Sequence, residues 1–290
     1  MIPGNSFFIA EVSSNHGRDL ERSRAIIDAA AGAGCDAVKF QLFKIDQLFA
    51  PEILERSEEH RRRRQWELPV EFLPALAAHC HDRSIEFGCT PFYLDAVAEL
   101  EPHVDFYKIA SYELLWDDLL AACASTGKPV ILSTGMATLD EIRHGVDVVR
   151  ANGGDDPAVL HCTSAYPTPH DQANLAAIET IREATGARIG WSDHTADPAV
   201  ILRAIHRWGA EVIEIHIDLD GSGEEFEPGH CWLPDQVASL ISLVRRGLET
   251  DGSGVKEPVP SEVSDRLWRT DPVDGLRPFM QVRDDFEPES

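Results

Sequence analysis

The sequence predicts one (β/α)8 TIM barrel of the α/β class, and three observations lead to that prediction. Short apolar segments alternate with longer amphipathic segments along most of the 290 residues. Each apolar segment is nearly continuous in apolar residues, as expected for parallel strands that are buried on both faces. No GxGxxG motif follows the first of them, which argues against an open doubly wound sheet, the alternative architecture.

The predicted elements follow one another in regular order. Eight strands are predicted: SFFIAEV (6–12), AVKFQLF (37–43), EFGCTPF (86–92), DFYKIAS (105–111), PVILSTG (129–135), AVLHCTSAY (158–166), RIGWSDH (188–194) and EVIEIHI (211–217). Helical stretches between them include DLERSRAIIDAAAGAG, TLDEIRHGVDVVRANG and DPAVILRAIHRWGA. Several such stretches have a Gly just before the next strand, as a helix C-cap would. Eight strand–helix units are the number that a TIM barrel requires.

Two regions interrupt this order. The segment 44–69 follows the second strand and is longer than an ordinary connection, so we expect it on the carboxyl-terminal face, where barrel enzymes carry their active sites. After the last helix the chain becomes rich in Pro, Gly, Asp and Ser. We therefore predict a barrel over 1–250 and a partly ordered tail over 251–290, without a second domain.

The amino-acid composition limits which binding partners and which cellular compartment we expect for this protein. The 26 Lys and Arg residues face 50 Asp and Glu residues, a formal net charge of -24, which repels nucleic acid and anionic membranes. The six cysteines form no CxxC pair, so reduced thiols are expected. No secretory signal or membrane-length apolar run is apparent. We expect a cytoplasmic protein with neither nucleic-acid nor membrane partners.

Polar side chains gather at the carboxyl ends of the predicted strands. Side chains alternate between the two faces of a strand, so residues two apart share a face. Six strands place a polar group on one face near their end: Glu11, Lys39 with Gln41, Lys108, Ser133, Ser192 with His194, and Glu214 with His216. A single residue of this kind is more often a hydrogen-bonded core residue, but six strands with the same pattern indicate an active-site mouth.

Two histidines in this set have the spacing of a metal site. His194 and His216 end the seventh and eighth strands, which are neighbours in a barrel and lie roughly 4.8 Å apart. Two imidazoles with open positions suit a divalent metal that acts as a Lewis acid. Two distant histidines are a weak signal by themselves, and a structural role for each was the alternative.

The concatenated motifs resemble those of N-acetylneuraminate synthase and its relatives. The resemblance spans almost the whole barrel and is carried by IAEVSSNHGRDLERSRAIIDAAAGAGCDAVKFQLFK, TPF, KIASYE, GKPVILSTGMATLDEI, LHCTSAYPTP, NLAAIETI, GWSDHT and EIH. It implies a transferase of carbohydrate biosynthesis that condenses phosphoenolpyruvate with the aldehyde of an N-acetylated hexosamine to give a nonulosonic, sialic-acid-like sugar acid. Phosphate is released, and the enzyme is expected to be a homodimer.

The resemblance also implies roles for individual residues. His194 and His216 match the positions that hold a manganese-type ion, with Mg2+ or Co2+ as alternatives. Lys39, Lys108, Ser111, Ser133 and Ser192 match the positions that bind the phosphate and carboxylate of phosphoenolpyruvate. Glu113 matches the family's acid/base residue, and Glu11, Lys39 and Lys108 are the further catalytic candidates. The other implied substrate-binding residues are Asn15, Gln41, Thr90, Ser164, Tyr166, Asp193 and Glu214.

Three features depart from the family pattern. Ile215 replaces a lysine between Glu214 and His216, but it belongs to the opposite face of the strand, so the metal site should persist. After the eighth strand a GPDH-like stretch is replaced by GSGEEFEPGHCWLP, in which Glu227 aligns roughly with the aspartate. We also expect no antifreeze-like cap domain, which in the family donates an arginine to the partner's sugar site.

These departures leave two alternatives open. The protein could be a related phosphoenolpyruvate-condensing enzyme that acts on a different aldehyde, because the altered loop and the cap belong to the aldehyde side. It could instead be a non-catalytic barrel that serves as a scaffold. Retention of both histidines and both lysines argues against the scaffold, because a buried charge has no use in an inactive site.

Overall fold

The computed structural model describes residues 6–154 and 156–283 and contains a closed barrel of eight parallel strands. The strands are β1 Phe7–Glu11, β2 Ala37–Leu42, β3 Glu86–Pro91, β4 Phe106–Ile109, β5 Val130–Ser133, β6 Ala158–His161, β7 Arg188–Asp193 and β8 Val212–His216. Each strand pairs with the next, and β8 pairs with β1. The predicted fold class and all eight predicted strands are therefore confirmed.

Helices connect the strands on the outside of the barrel. They are α1 Leu20–Ala33, α2 Ile45–Leu48, α3 Pro51–Arg56, α4 Glu58–Arg62, α5 Leu73–Asp82, α6 Leu94–Leu100, α7 Asp117–Ser125, α8 Leu139–Ala151, α9 Ala177–Thr185 and α10 Pro198–His206. Two further helices follow β8 in the chain, α11 Pro234–Glu249 and α12 Met280–Arg283. Short 3-10 helices occupy Arg63–Trp66, Val70–Phe72, Ser111–Glu113, His170–Gln172, Pro260–Glu262 and Ser264–Trp268. The long segment after β2 thus contains α2 to α4.

Local chemistry sets several of these boundaries. The Asp19 side chain accepts hydrogen bonds from the backbone N–H groups of Glu21 and Arg22 and so begins α1. Gly34 ends the same helix with a φ of 94°, which an L side chain rarely adopts. The strand β6 ends at His161, five residues before the predicted end at Tyr166.

The alternation of side chains divides the buried residues into an outer and an inner cluster. The outer cluster lies between strands and helices and contains residues such as Phe40, Tyr107, Trp191 and Ile215. The inner cluster fills the barrel and forms what we call the apolar plug, consisting of Phe7, Ile9, Ala37, Phe106, Ile131, Ala158, Leu160 and Val212. As predicted, Ile215 faces away from Glu214 and His216.

The chain divides into two compact units, Met1–Leu248 and Glu249–Ser290. The second unit contains α12 and the last two 3-10 helices. Within it, Arg283 forms an ion pair with Asp274, and Asp271 accepts a hydrogen bond from the backbone N–H of Met280 at 2.8 Å. None of the described helices has the combination of length and apolarity that a membrane crossing requires.

Candidate active site

Four buried charges meet at the carboxyl end of the barrel interior. Lys39 forms an ion pair with Glu11, and its ammonium lies 3.9 Å from Glu214 Oε2. Lys108 Nζ lies 3.3 Å from Glu214 Oε1. All four side chains are at most 4 % exposed, so each charge depends on its partners rather than on water. We call these four residues the charged network.

The strand register brings these charges together. Glu11 lies opposite Lys39 on one side and opposite His216 on the other, and Ser192 lies opposite Glu214. The four residues of the charged network each stand two positions beyond a member of the apolar plug on the same strand, on the same inward face. The network is thus the next layer of the barrel interior above the plug.

Hydroxyl and amide groups complete the hydrogen bonding of the network. Lys39 donates to Thr90 Oγ1 at 3.0 Å, and Lys108 donates to Ser133 Oγ at 2.6 Å. Ser192 donates to Glu214 Oε1 at 2.9 Å, and Gln41 donates to Glu11 Oε1 at 2.9 Å. The predicted residues Gln41, Thr90, Ser133 and Ser192 therefore all contact the charged network.

The ion pairs of the network also determine the protonation states of Glu214 and Lys39. Burial raises the pKa of Glu214, but the ammonium groups of Lys108 and Lys39 outweigh burial and lower it to about 2. Burial lowers the pKa of Lys39, but the carboxylates of Glu11 and Glu214 outweigh burial and raise it above its ordinary value. Glu214 and Lys39 therefore stay ionised at neutral pH.

A tight corner of hydroxyl groups lies between the loops that follow β4, β5 and β6. The Gly135 backbone N–H donates to Ser111 Oγ at 3.0 Å, and that oxygen lies 3.2 Å from Cys162 Sγ. A Cβ atom at Gly135 would lie 2.1 Å from Ser164 Oγ, so only glycine fits here. Ser164 Oγ is buried without a hydrogen-bond partner among the described residues, which leaves it available to a ligand.

Glu113 lies in the 3-10 helix that follows β4. Its Oε2 atom is buried and has no hydrogen-bond partner in the described part of the chain. Burial raises its pKa to about 7, although a backbone hydrogen bond and the charge of Lys108 act in the opposite direction. A carboxyl group of this kind exists in both protonation states near neutral pH and suits acid/base chemistry.

Aromatic rings cluster beside the network. The ring centroids of His194 and His216 are 5.2 Å apart, and those of His216 and His230 are 4.9 Å apart. The Tyr166 ring lies 4.1 Å from that of His194. The two predicted metal ligands are therefore neighbours, and a third histidine, which the sequence interpretation did not single out, joins them.

The local chemistry of His194 fits a metal ligand. Its Nδ1 lies 2.7 Å from the carbonyl oxygen of Thr163, and an N–H donated there leaves Nε2 as the unprotonated atom. Burial, together with the nearby His216, lowers the pKa of His194 to about 3. The ring is therefore neutral at physiological pH, which is the form that binds a cation.

The loop between β8 and α11 supplies Glu225. Both Ser13 and Ser14 donate to its Oε1 atom, the latter at 3.0 Å, and its Oε2 atom lies 3.2 Å from His216 Nδ1. Glu227, the residue predicted from the sequence for this loop, is exposed, and within the described part of the chain it forms no hydrogen bond or ion pair with the network or the histidines. Glu225 occupies the mouth instead, and no periodic pattern in the loop distinguishes the two glutamates.

Contacts with residues from the amino-terminal part of the chain hold this loop in position. Arg22 forms an ion pair with Asp218 at 2.7 Å, and Asn15 Oδ1 accepts the backbone N–H of Glu225 at 2.9 Å. A Cβ atom at Gly223 would lie 2.3 Å from Asp218 Oδ1, so the loop can approach this closely only with glycine. Asn15, a predicted substrate-binding residue, holds the loop through both ends of its amide, since its Nδ2 donates to Ile217 O.

Asp193 is the predicted site residue whose contacts lead away from the mouth. Its carboxylate accepts hydrogen bonds from the indole N–H groups of Trp191 and Trp232 and from Thr195 Oγ1. The side chain is completely buried, on the opposite face of β7 from Ser192. These contacts indicate that it braces the end of β7.

Comparison with known proteins gives consistent matches. The NeuB family profile matches residues 26–256. An uncharacterized protein of Methanocaldococcus jannaschii is 35% identical over 260 residues, covering 89% of this chain and 75% of that protein. The N,N'-diacetyllegionaminic acid synthase of Campylobacter jejuni is 33% identical over 270 residues, covering 89% and 80%. The structure of a sialic acid synthetase from Leptospira borgpetersenii superimposes with a TM-score of 0.80 at 32% identity, covering 90% of each chain.

Proposed function

Because the chain belongs to the NeuB family, we propose that it condenses phosphoenolpyruvate with an N-acetylated hexosamine-type aldehyde. In this reaction C3 of phosphoenolpyruvate forms a bond to the aldehyde carbon. Water adds its oxygen to C2, and the bond between C2 and the phosphate oxygen breaks. The products are a nonulosonic sugar acid and inorganic phosphate.

The observation that carries this proposal is the pair of buried lysines. Lys39 and Lys108 are almost inaccessible to water, and together they can bind an anion that carries both a carboxylate and a phosphate. The hydroxyls of Ser111, Ser133 and Ser192 are additional donors, and the unpartnered hydroxyl of Ser164 is a further one. Two ammonium groups and several hydroxyl donors gathered at one point, in a protein of net charge -24, support an anionic substrate.

We propose that His194 and His216 hold a divalent ion, Mn2+ in the first place, with Mg2+ and Co2+ as alternatives. When bound, such an ion polarises the aldehyde oxygen and makes the aldehyde carbon more electrophilic. The neutral His194 ring, with Nδ1 directed at the Thr163 carbonyl, supports this role.

The remaining residues would bind, orient and transfer protons. Glu113, with a pKa near 7, would exchange a proton at Oε2 with the water or the aldehyde oxygen. Tyr166 packs against His194 and would limit the access of water to that side of the mouth. Glu11 and Glu214 would hold the two lysine side chains in place. The cytoplasmic location and the homodimeric state of the protein remain predictions from its sequence.

Phosphate release with a panel of aldehydes tests the proposal. Purified protein with Mn2+ and phosphoenolpyruvate should release phosphate only when a suitable aldehyde is present. The panel should include N-acetylmannosamine, N-acetylglucosamine, their 6-phosphates and simple aldoses, with mass spectrometry of the product. Phosphate release with simple aldoses alone would favour a related condensing enzyme, and no aldehyde-dependent release would favour the non-catalytic scaffold.

A further inference from the structure

Cys162 lies in the corner of hydroxyl groups at the barrel mouth and is 4% exposed. It stands two residues beyond Leu160 of the apolar plug, just as Lys108 stands two residues beyond Phe106. Its side chain therefore belongs to the interior of the barrel, beside the charged network, and not to the apolar layer under the helices. A thiol in this place has polar neighbours, and its contacts with them indicate its role.

Three side-chain atoms of this corner surround one point. The Cβ atom that Gly135 lacks would lie 2.1 Å from Ser164 Oγ, 2.9 Å from Ser111 Oγ and 3.2 Å from Cys162 Sγ. Because Gly135 has no side chain, the loops after β4, β5 and β6 can approach one another this closely. The Cys162 thiol is thereby held against the Ser111 hydroxyl, with 3.2 Å between sulfur and oxygen.

The Ser111 hydroxyl has one hydrogen to donate and two lone pairs that accept. The backbone N–H of Gly135 donates to one lone pair at 3.0 Å. If the Cys162 thiol donates to the other, both lone pairs are occupied and the hydroxyl hydrogen is directed outside the corner. If the hydroxyl instead donates to sulfur, its hydrogen is used within the corner. The direction of this one hydrogen bond therefore determines whether Ser111 can donate to a ligand.

An anion at the mouth favours the arrangement in which the thiol is the donor. Sulfur is a weak acceptor, whereas a phosphate or carboxylate oxygen forms a charge-assisted hydrogen bond that is roughly twice as strong as a neutral one. The Ser111 hydrogen therefore turns to the anion, and the thiol donates to the lone pair that remains. The buried Ser164 hydroxyl of the same corner, which has no hydrogen-bond partner among the described residues, is a second donor available to the anion.

We propose that Cys162 is a positioning residue of the anion site. Its thiol donates to Ser111 Oγ and thereby directs the Ser111 hydroxyl to an anionic oxygen of phosphoenolpyruvate. This role rests on the proposed function, which makes that compound the ligand. Because Cys162 acts through Ser111 and not on the reacting atoms, its loss raises KM for phosphoenolpyruvate and leaves kcat unchanged when phosphoenolpyruvate is saturating.

Calorimetric titration of the full-length protein with phosphoenolpyruvate tests this role apart from condensation. Cys162→Ala removes the donor and should weaken the affinity roughly 3- to 10-fold, the effect of one neutral hydrogen bond. Cys162→Ser keeps a donor but is also a stronger acceptor, which competes for the Ser111 hydrogen, so its affinity should lie between those of the wild type and Cys162→Ala. Cys80→Ala, which removes a buried thiol from α5, is the matched control and should leave the affinity unchanged.

A double-mutant cycle separates positioning from a general disturbance of the corner. Cys162→Ala should weaken phosphoenolpyruvate binding in the wild type but not in a Ser111→Ala background, because without the hydroxyl the thiol has nothing to direct. Equal weakening in both backgrounds would overturn the proposal. A loss of kcat at saturating phosphoenolpyruvate in folded Cys162→Ala would also overturn it, since positioning of the bound anion predicts an effect on affinity.

Infrared spectroscopy examines the thiol directly and does not depend on Cys162→Ala being stable. The wild type saturated with phosphoenolpyruvate should have an S–H stretching band at the lower frequency of a donating thiol, and Cys162→Ser should lack that band. Persistence of the band in Cys162→Ser would contradict the proposal. Failure of the wild type to bind phosphoenolpyruvate would overturn the proposed function and this inference with it. Equal binding by the wild type and folded Cys162→Ala would overturn this inference only.

Discussion

The apolar plug and the charged network occupy successive layers of the same barrel interior, yet they have opposite chemistry. Phe106 and Lys108 lie two residues apart on β4 and face the same way, and Ile9 and Glu11 do so on β1. The plug contributes to stability because its apolar side chains are removed from water. The network incurs a desolvation cost, which its internal ion pairs oppose. A step of two positions along a strand therefore separates residues that stabilise the barrel from residues suited to bind a ligand.

Removal of one network charge tests this comparison most strongly. Lys108→Met keeps the length of the side chain but removes its charge, so it should lower kcat/KM for phosphoenolpyruvate about 10³-fold. Steady-state phosphate release measures the effect. Lys128→Met is the matched control, because Lys128 precedes β5 at the other end of the barrel and donates to Val104 O. Equal rates in both variants would remove the network from catalysis.

Truncation in the plug should have the opposite signature. Phe106 is 2% exposed, and Phe106→Ala should reduce the free energy of unfolding by about 3–5 kcal/mol because it leaves a cavity. The folded protein should keep a kcat close to that of the wild type, since the charged layer is unchanged. Urea unfolding and turnover, measured on the same samples, separate the two effects. Leu243→Ala, at a position 40% exposed, is the control for a lost apolar side chain. A large loss of kcat without a loss of stability would contradict the division into layers.

Glu113 offers a smaller, pH-dependent test at the edge of the network. Burial raises its folded pKa from 4.5 to about 7, so the unfolded chain releases this proton at a lower pH than the folded one. The contribution of Glu113 to stability should therefore fall as pH rises from 4.5 to about 7. Over that range the free energy of unfolding of the wild type should fall relative to that of Glu113→Gln. The kcat/KM profile of the wild type should have an inflection near pH 7, and the profile of the variant should lack it. Glu183→Gln, at an exposed position, controls for loss of one carboxyl group. A stability difference that is flat with pH would show that Glu113 is not desolvated.

The strands were predictable from the sequence, and the loop after β8 was not. Period-two alternation fixes which face Glu11, Lys39 and Glu214 share, and closure of the barrel then brings them together. Glu225 and His230 lie in a segment with no period, so nothing in the sequence separates Glu225 from Glu227. Their positions depend on contacts with Asn15 and on the glycine at 223, which belong to the folded barrel rather than to any local pattern.

The closure of β8 on β1 also has a consequence for the order of folding. Asn15 and Glu225, joined by a hydrogen bond, are 210 positions apart in the chain. Glu11 meets His216 through the pairing of β1 with β8, the first and the last strand of the barrel in chain order. Contacts of such long sequence separation require loop closure over most of the domain and arise late in folding. We therefore expect the anion and cation sites to be absent until β8 has paired with β1. Ligand binding at this mouth should consequently report on completion of the whole barrel, and ligands should stabilise the closed form over every partly folded intermediate.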